Sequence, residues 1–172
     1  IKLIDFGSAT YDNRSVFTYI QSRFYRAPEI LLGIPNYTAA IDIWSLGAVA
    51  VELFLGLPIF PGQSQHNQLF RILSCLGPVP QFLIDQGKAK EKFFYRSTSS
   101  NPEGEWKLKS HHQFALDTGT ECVHHKIYFK GTTLEEIVNF AASKSAEANS
   151  TPILPVEDRQ MFVHFVQGLL RY

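Results

Sequence analysis

Apolar positions along this chain fall into one nearly unbroken block and several periodic ones. The block runs from Ile41 to Leu55, and no polar stripe with a helical period can be drawn through it. A helix that is apolar all round is either buried or crosses a membrane. Asp42, Ser45 and Glu52 interrupt the block, which falls short of the roughly 18 unbroken apolar residues that a span needs. The pattern therefore predicts a buried rod with other elements packed on all its sides. Asp42 stands near the predicted start, where a carboxylate accepts from free backbone N–H groups and suits the positive end of the helix dipole. Gly56 and Pro58 supply the stop.

The remaining elements follow from shorter patterns. Ile1-Lys2-Leu3-Ile4 alternates enough for a short strand, and it leads into Asp5-Phe6-Gly7. Positions 8–15 are polar and turn-rich, and the aromatics and arginines of 17–25 show no clean period, so both stretches are expected to be loops. Ala27 to Gly33 predicts a short helix, with Pro28 tolerated in its first turn and Gly33 ending it. Gln65 to Leu76 predicts an amphipathic helix, its apolar face formed by Leu69, Phe70, Ile72, Leu73 and Leu76, with Gly77-Pro78 closing it. From Lys88 to Pro155 polar residues dominate, broken by short apolar runs at 126–129 and 134–142. Ser143 to Thr151 is close to low complexity and is expected to be flexible. Helical periodicity returns from Glu157 to Tyr172, and no internal repeat is evident.

Composition narrows the function classes. The 172 residues suffice for one domain or most of one. Lysine and arginine number 16, as do aspartate and glutamate, and a zero net charge argues against a nucleic-acid footprint. Cys75 and Cys122 form no CxxC or paired metal spacing, which suits a reducing setting. With no membrane run or signal peptide in view, the expectation is a cytoplasmic or nuclear protein without membrane contact. The chain opens at Ile1 in mid-strand, as an excised segment would.

Chemistry enters with an ordered set of motifs. Asp5-Phe6-Gly7 follows a predicted strand, Ala27-Pro28-Glu29 comes 20 residues later, and Asp42-Ile43-Trp44-Ser45-Leu46-Gly47 opens the rod. That set resembles the C-terminal lobe of the eukaryotic protein kinases, from the DFG strand through the activation segment to the large central helix. Tyr25-Arg26-Ala27-Pro28-Glu29 is similar to the group that includes cyclin-dependent and MAP kinases. Tyr19-Ile20-Gln21-Ser22-Arg23-Phe24-Tyr25-Arg26 resembles the dual-specificity tyrosine-regulated kinases more closely still, and Phe54 to Gly62 is similar to their Yak-type branch. The resemblance is specific over about 1–95, returns over 155–172 and is thin between.

The fold it implies is mainly α, a C-terminal-lobe piece of the bilobal α+β protein-kinase fold without the N-lobe, catalytic loop and last helices. Its parts would be the DFG strand and activation segment (1–29), the central and following helices (30–87), a family insert (88–155) and a late helix (156–172). The insert could be a docking surface for other proteins.

The resemblance also assigns roles residue by residue. Asp5 would hold Mg²⁺ against the phosphates of ATP, a fit of hard carboxylate oxygen to a hard cation. A solvated turn aspartate is the plain alternative. Phe6 would be the side chain whose packing sets Asp5 in or out, and Gly7 gives the turn its backbone freedom. Tyr19 aligns with an activation-loop tyrosine that such kinases phosphorylate on themselves, with Arg23 and Arg26 as the phosphate's partners. Before phosphorylation those two guanidiniums are expected to repel and to loosen the substrate floor. Phe17 stands where relatives often carry a second tyrosine. Ser22 would floor the protein-substrate site and Arg26 would shape the pocket after the phosphorylated residue. Glu29 would pair with an arginine beyond Tyr172, Asp42 would cap the catalytic-loop backbone, and Val49 with Leu53 would support a nucleotide-side apolar stack.

Weaker signals are discounted. His111-His112 and His124-His125 lack partner cysteines at ligand spacing, and the Asn-X-Ser/Thr triplets at 13, 36 and 149 fit chance in an intracellular chain. No Gly-rich loop, strand lysine or HRD-type loop occurs here, so the segment alone is expected to be inactive while its parent is a Ser/Thr kinase acting on proteins. A pseudokinase scaffold and a truncated product remain the alternatives.

Overall fold

The computed structural model describes residues 2, 4–11, 19–99, 102, 104–122, 126–149 and 154–172. Among them the chain is mainly helical, with one small antiparallel hairpin. A 3₁₀ turn at Arg23–Tyr25 precedes α1 (Pro28–Leu32), and the rod forms α2 (Ala40–Leu55). Three helices follow, α3 (Gln65–Leu76), α4 (Gln81–Gln86) and α5 (Lys90–Phe93). The hairpin pairs β1 (Phe94–Ser97) with β2 (Glu105–Leu108), Phe94 facing Leu108 and Ser97 facing Glu105. The chain then forms α6 (His111–Thr118), α7 (Leu134–Asn149) and α8 (Val156–Leu169).

The predicted helix ends are built by the predicted residues. Pro28 occupies the first turn of α1, and Gly33 closes it in the left-handed conformation that a residue with a side chain adopts at a cost. At the start of α3 the cap is Ser64, which the sequence reading does not name; its side chain accepts from the Asn67 amide. Asp42, in contrast, is exposed and makes no cap hydrogen bond. The residue before α2 is Ala39, and the first turn closes through backbone bonds to Thr38 and Ala39.

The rod is sheathed on one side. Ile41, Trp44, Ala48 and Val51 are buried against α1, Phe60, α8 and Tyr172, with Trp44 stacked 6.1 Å from Phe60. A Cβ on Gly47 would come within 2.9 Å of Leu169 and Leu170, so only glycine lets α8 lie this close. Ile43, Leu46, Val49 and Leu53 face out, Leu53 with 82% of its surface open. The expectation of packing on every side therefore holds for half of the circumference within this chain.

Three further expectations change. Lys2 and Ile4 form no strand; Ile1 and Leu3 lie outside the described residues. The stretch expected to be flexible is helical through Asn149 as the last turns of α7, and Ser150 and Thr151 lie outside the described residues. Alanine-rich, Gly-free and Pro-free from Ser143 to Asn149, it has the composition of a helix as much as of a linker. Nor is 88–155 detached: Phe93, Phe94, Leu134, Ile137 and Val138 belong to the same core as Trp44 and Phe60.

Candidate functional site

Three side chains of the loop before α1 converge. Tyr19 is 64% exposed, and the Arg26 guanidinium carbon lies 4.1 Å from the centre of its ring. The Arg26 guanidinium, and after it that of Arg23, pull the Tyr19 phenol below its ordinary pKa. Arg26 is itself 2% exposed and donates from Nε to the Ile20 carbonyl (2.8 Å) and from Nη2 to the Gln21 carbonyl (2.7 Å). Arg23 Nη1 donates to the Gln63 carbonyl (2.7 Å) and at longer range to that of Gly62 (3.5 Å). One nitrogen of each guanidinium, Arg26 Nη1 and Arg23 Nε, is buried with no hydrogen-bond partner. Backbone carbonyls thus accept from both cations in this structure. Unused donor capacity beside a phenol is what an anion on that phenol would satisfy. Phe17 lies outside the described residues.

Gln21 fixes this loop to the rod, a role the sequence reading did not assign. Its backbone takes the left-handed conformation, φ 62°, uncommon without a glycine. The side chain offsets that strain with three bonds. Nε2 donates to the Ile41 carbonyl (2.8 Å) and to Ser45 Oγ (2.8 Å), and Oε1 accepts from the Ala27 amide (3.0 Å). A glutamine between Ile20 and Ser22 carries no pattern that announces this. Next to it, Ser22 is exposed and its carbonyl accepts from the Tyr25 amide (3.0 Å). Tyr25 in turn donates to Glu52 Oε2 (2.7 Å), a bond that raises the pKa of the phenol. In the sequence Glu52 shows only as a polar break in the apolar block.

On the other side of Gln21 a cavity of about 450 Å³ collects Asp5, Phe6, Thr38, Ile41 and Asp42. Asp5 is exposed with φ 62°, and its Oδ1 is 3.4 Å from the Gly7 amide, a long contact. That carboxylate is open to a cation. No group of three or more His, Cys, Asp or Glu that could cage a metal occurs among the described residues. Mg²⁺ usually takes one or two carboxylates together with phosphates, so a single open aspartate fits it where a dedicated cage would not be needed. Phe6 is exposed as well, and Val49 and Leu53 meet no nucleotide-side stack among the described residues.

Glu29 in α1 has no ion pair among the described residues. Burial raises its pKa, with its own backbone amide opposing in part. Glu29 is thus a largely buried carboxylate with no cation beside it among the described residues.

The geometry can now be set beside known proteins. The protein kinase domain family matches residues 1–147. Dual specificity protein kinase YAK1 of Saccharomyces cerevisiae is 44% identical over 99% of the chain, and serine/threonine-protein kinase ppk15 of Schizosaccharomyces pombe is 42% identical over 99%. The Arabidopsis thaliana YAK1 homolog is 38% identical over the whole chain. The chain spans 22%, 31% and 19% of those relatives' lengths, in that order. The chain belongs to the protein kinase family, and within it to the Yak and dual-specificity tyrosine-regulated type.

Proposed function

We propose that this chain is the substrate-facing and activation part of the C-terminal lobe of an ATP-dependent kinase. That kinase phosphorylates serine and threonine of proteins and modifies its own Tyr19. The observation that carries the reading is the Tyr19, Arg23 and Arg26 cluster, where two buried guanidinium nitrogens wait unpartnered beside an exposed phenol. A phosphate there carries a charge of about −1.5 to −2 and accepts about one to three charge-assisted hydrogen bonds.

Each residue has a task in this reading. Asp5 would hold Mg²⁺, which when bound with ATP neutralises charge on the phosphates. Ser22 and the Arg26-bound carbonyls of Ile20 and Gln21 form the floor on which a protein segment lies. Gln21 keeps that floor at a fixed height over α2, and Asp42 faces the same cavity as Asp5. Residues that deliver the transferable phosphoryl group and accept the hydroxyl proton are not among those assigned here, so catalysis belongs to the longer parent.

The test is phosphoryl transfer by the full-length parent to a serine peptide. The wild type is expected to label the peptide with added Mg²⁺, and Asp5→Asn to lose nearly all of that labelling while keeping its melting temperature. Full labelling by Asp5→Asn would contradict the reading.

A further inference from the structure

Tyr128, in the loop before α7, stands beside two cations that no carboxylate of the described residues meets. The Arg71 guanidinium carbon lies 5.0 Å from the centre of its ring, and Lys126 Nζ lies 5.2 Å from it. Arg71 belongs to α3, so the contact crosses from that helix to the 88–155 stretch. Two bonds hold Arg71 in place. Its Nε donates to Asn67 Oδ1 (3.1 Å) and its Nη2 to the Lys126 carbonyl (3.0 Å). Its Nη1 makes no hydrogen bond among the described residues.

A cation partly withdrawn from water and left without a counter-ion is destabilised. Burial accordingly lowers the pKa of Arg71, and what opposes it is charge on the Tyr128 oxygen. The Tyr128 ring is half-buried, and its hydroxyl has no hydrogen-bond partner among the described residues. Negative charge at that oxygen is what this pair of cations lacks.

Apart from Tyr19, the other tyrosines do not share this setting. Tyr25 donates to Glu52, Tyr172 donates to the Gly77 carbonyl, and Tyr37 is buried. Tyr11 and Tyr95 are exposed, with no cation against either ring among the described residues.

We infer that Tyr128 is a phosphorylation site whose phosphate is received by Arg71 and Lys126. The donor is ATP, delivered by a kinase that accepts tyrosine. A bond forms from the Tyr128 oxygen to the γ-phosphorus as the bond from that phosphorus to the bridging oxygen breaks. ADP leaves, and the phenol proton passes to the general base of the kinase. The product carries a charge of about −1.5 to −2, and its three oxygens suit the unused Arg71 Nη1 and the Lys126 ammonium. Phosphate would thereby clip the loop before α7 to α3. None of these three residues belongs to the Tyr19 cluster, so the site stands independently of the reading of Tyr19.

The experiment purifies the full-length kinase from eukaryotic cells with tyrosine phosphatases inhibited, and maps its phosphates by mass spectrometry. Phosphate is expected on Tyr128 and not on the more exposed Tyr95. Tyr128 without phosphate would overturn the site. The phosphorylated protein is then treated with a tyrosine phosphatase. Release from Tyr128 is expected to be about tenfold slower in the wild type than in Arg71→Gln or Lys126→Gln, the scale of one charge-assisted hydrogen bond. Lys126 is exposed, so its variant decides the matter even where Arg71→Gln does not fold. Equal rates in the wild type and Lys126→Gln would overturn the reception of the phosphate by these cations. Phosphate on Tyr128 with none on Tyr19 would support this site while contradicting the functional reading.

Discussion

Gln21 and Ser45 are joined at 2.8 Å, and the Ser45 hydroxyl passes the connection on to the Tyr25 carbonyl at 2.9 Å. One amide thus ties both ends of the loop that carries Tyr19 and Arg26 to the rod. The Gln21 side chain does so from a left-handed backbone position that costs about 1–3 kcal/mol when not supported.

Removing that anchor gives the first prediction. Gln21→Ala in the full-length kinase should lower stability by about 1–3 kcal/mol, since Ala27 N–H and Ser45 lose partners while the strain stays. Gln21→Gly loses the same bonds but relaxes the backbone, so it should cost about 1 kcal/mol less than Gln21→Ala. Chemical denaturation of the two variants checks the order. Equal stability of wild type and Gln21→Ala would show that the three bonds do not hold the loop.

The second prediction concerns the hairpin region, which the sequence made look peripheral. Phe93 is fully buried in the common core. Phe93→Ala should therefore cost about 3–5 kcal/mol, as much as Phe60→Ala in the rod's own shell. A cost near zero for Phe93→Ala with a large one for Phe60→Ala would make the 88–155 stretch an independent appendage after all.

These two cases show what was legible and what was not. Local stop chemistry is printed in the sequence, so Gly33 and Gly77 end helices where expected. The motifs that carry the family reading are equally local. The Gln21 anchor depends on Ile41 and Ser45, 20 and 24 residues away, and no spacing rule connects them. The pairing of β1 with β2 and the burial of Phe93, Phe94 and Val138 are likewise tertiary facts. In the last turns of α7, low complexity suggests a linker while alanine and lysine favour helix, and the structure has the helix.

A third prediction follows from Glu29. Its pKa is raised in the folded chain, so the folded state holds the proton more tightly than the unfolded state. Stability of the isolated chain should thus be fully present below the ordinary glutamate value and fall as pH rises through the raised one. Glu29→Gln should remove that fall, read as the difference between the two melting curves across pH. A wild type more stable than Glu29→Gln at neutral pH, with that advantage lost as pH falls, would mean that Glu29 already has a cation.

The fourth prediction concerns the bare side of the rod. Ile43, Leu46 and Leu53 form an exposed apolar row on α2, with Met161 and Phe165 exposed on the helix packed beside it. Contiguous apolar surface drives association. The isolated chain should sediment as oligomers, and Leu53→Lys with Leu46→Lys should shift it towards monomer. A wild-type chain that sediments as a monomer at all concentrations would contradict this.

The central claim is that phosphate on Tyr19, received by Arg23 and Arg26, sets the activity of the kinase. It is tested most directly by mass spectrometry of active full-length protein, with peptide-kinase rates for Tyr19→Phe measured alongside. The account predicts phosphate on Tyr19 in the active protein and a loss of about tenfold or more in rate for Tyr19→Phe, the scale of one lost charge-assisted bond. An active protein with unmodified Tyr19, and full activity in Tyr19→Phe, would contradict it.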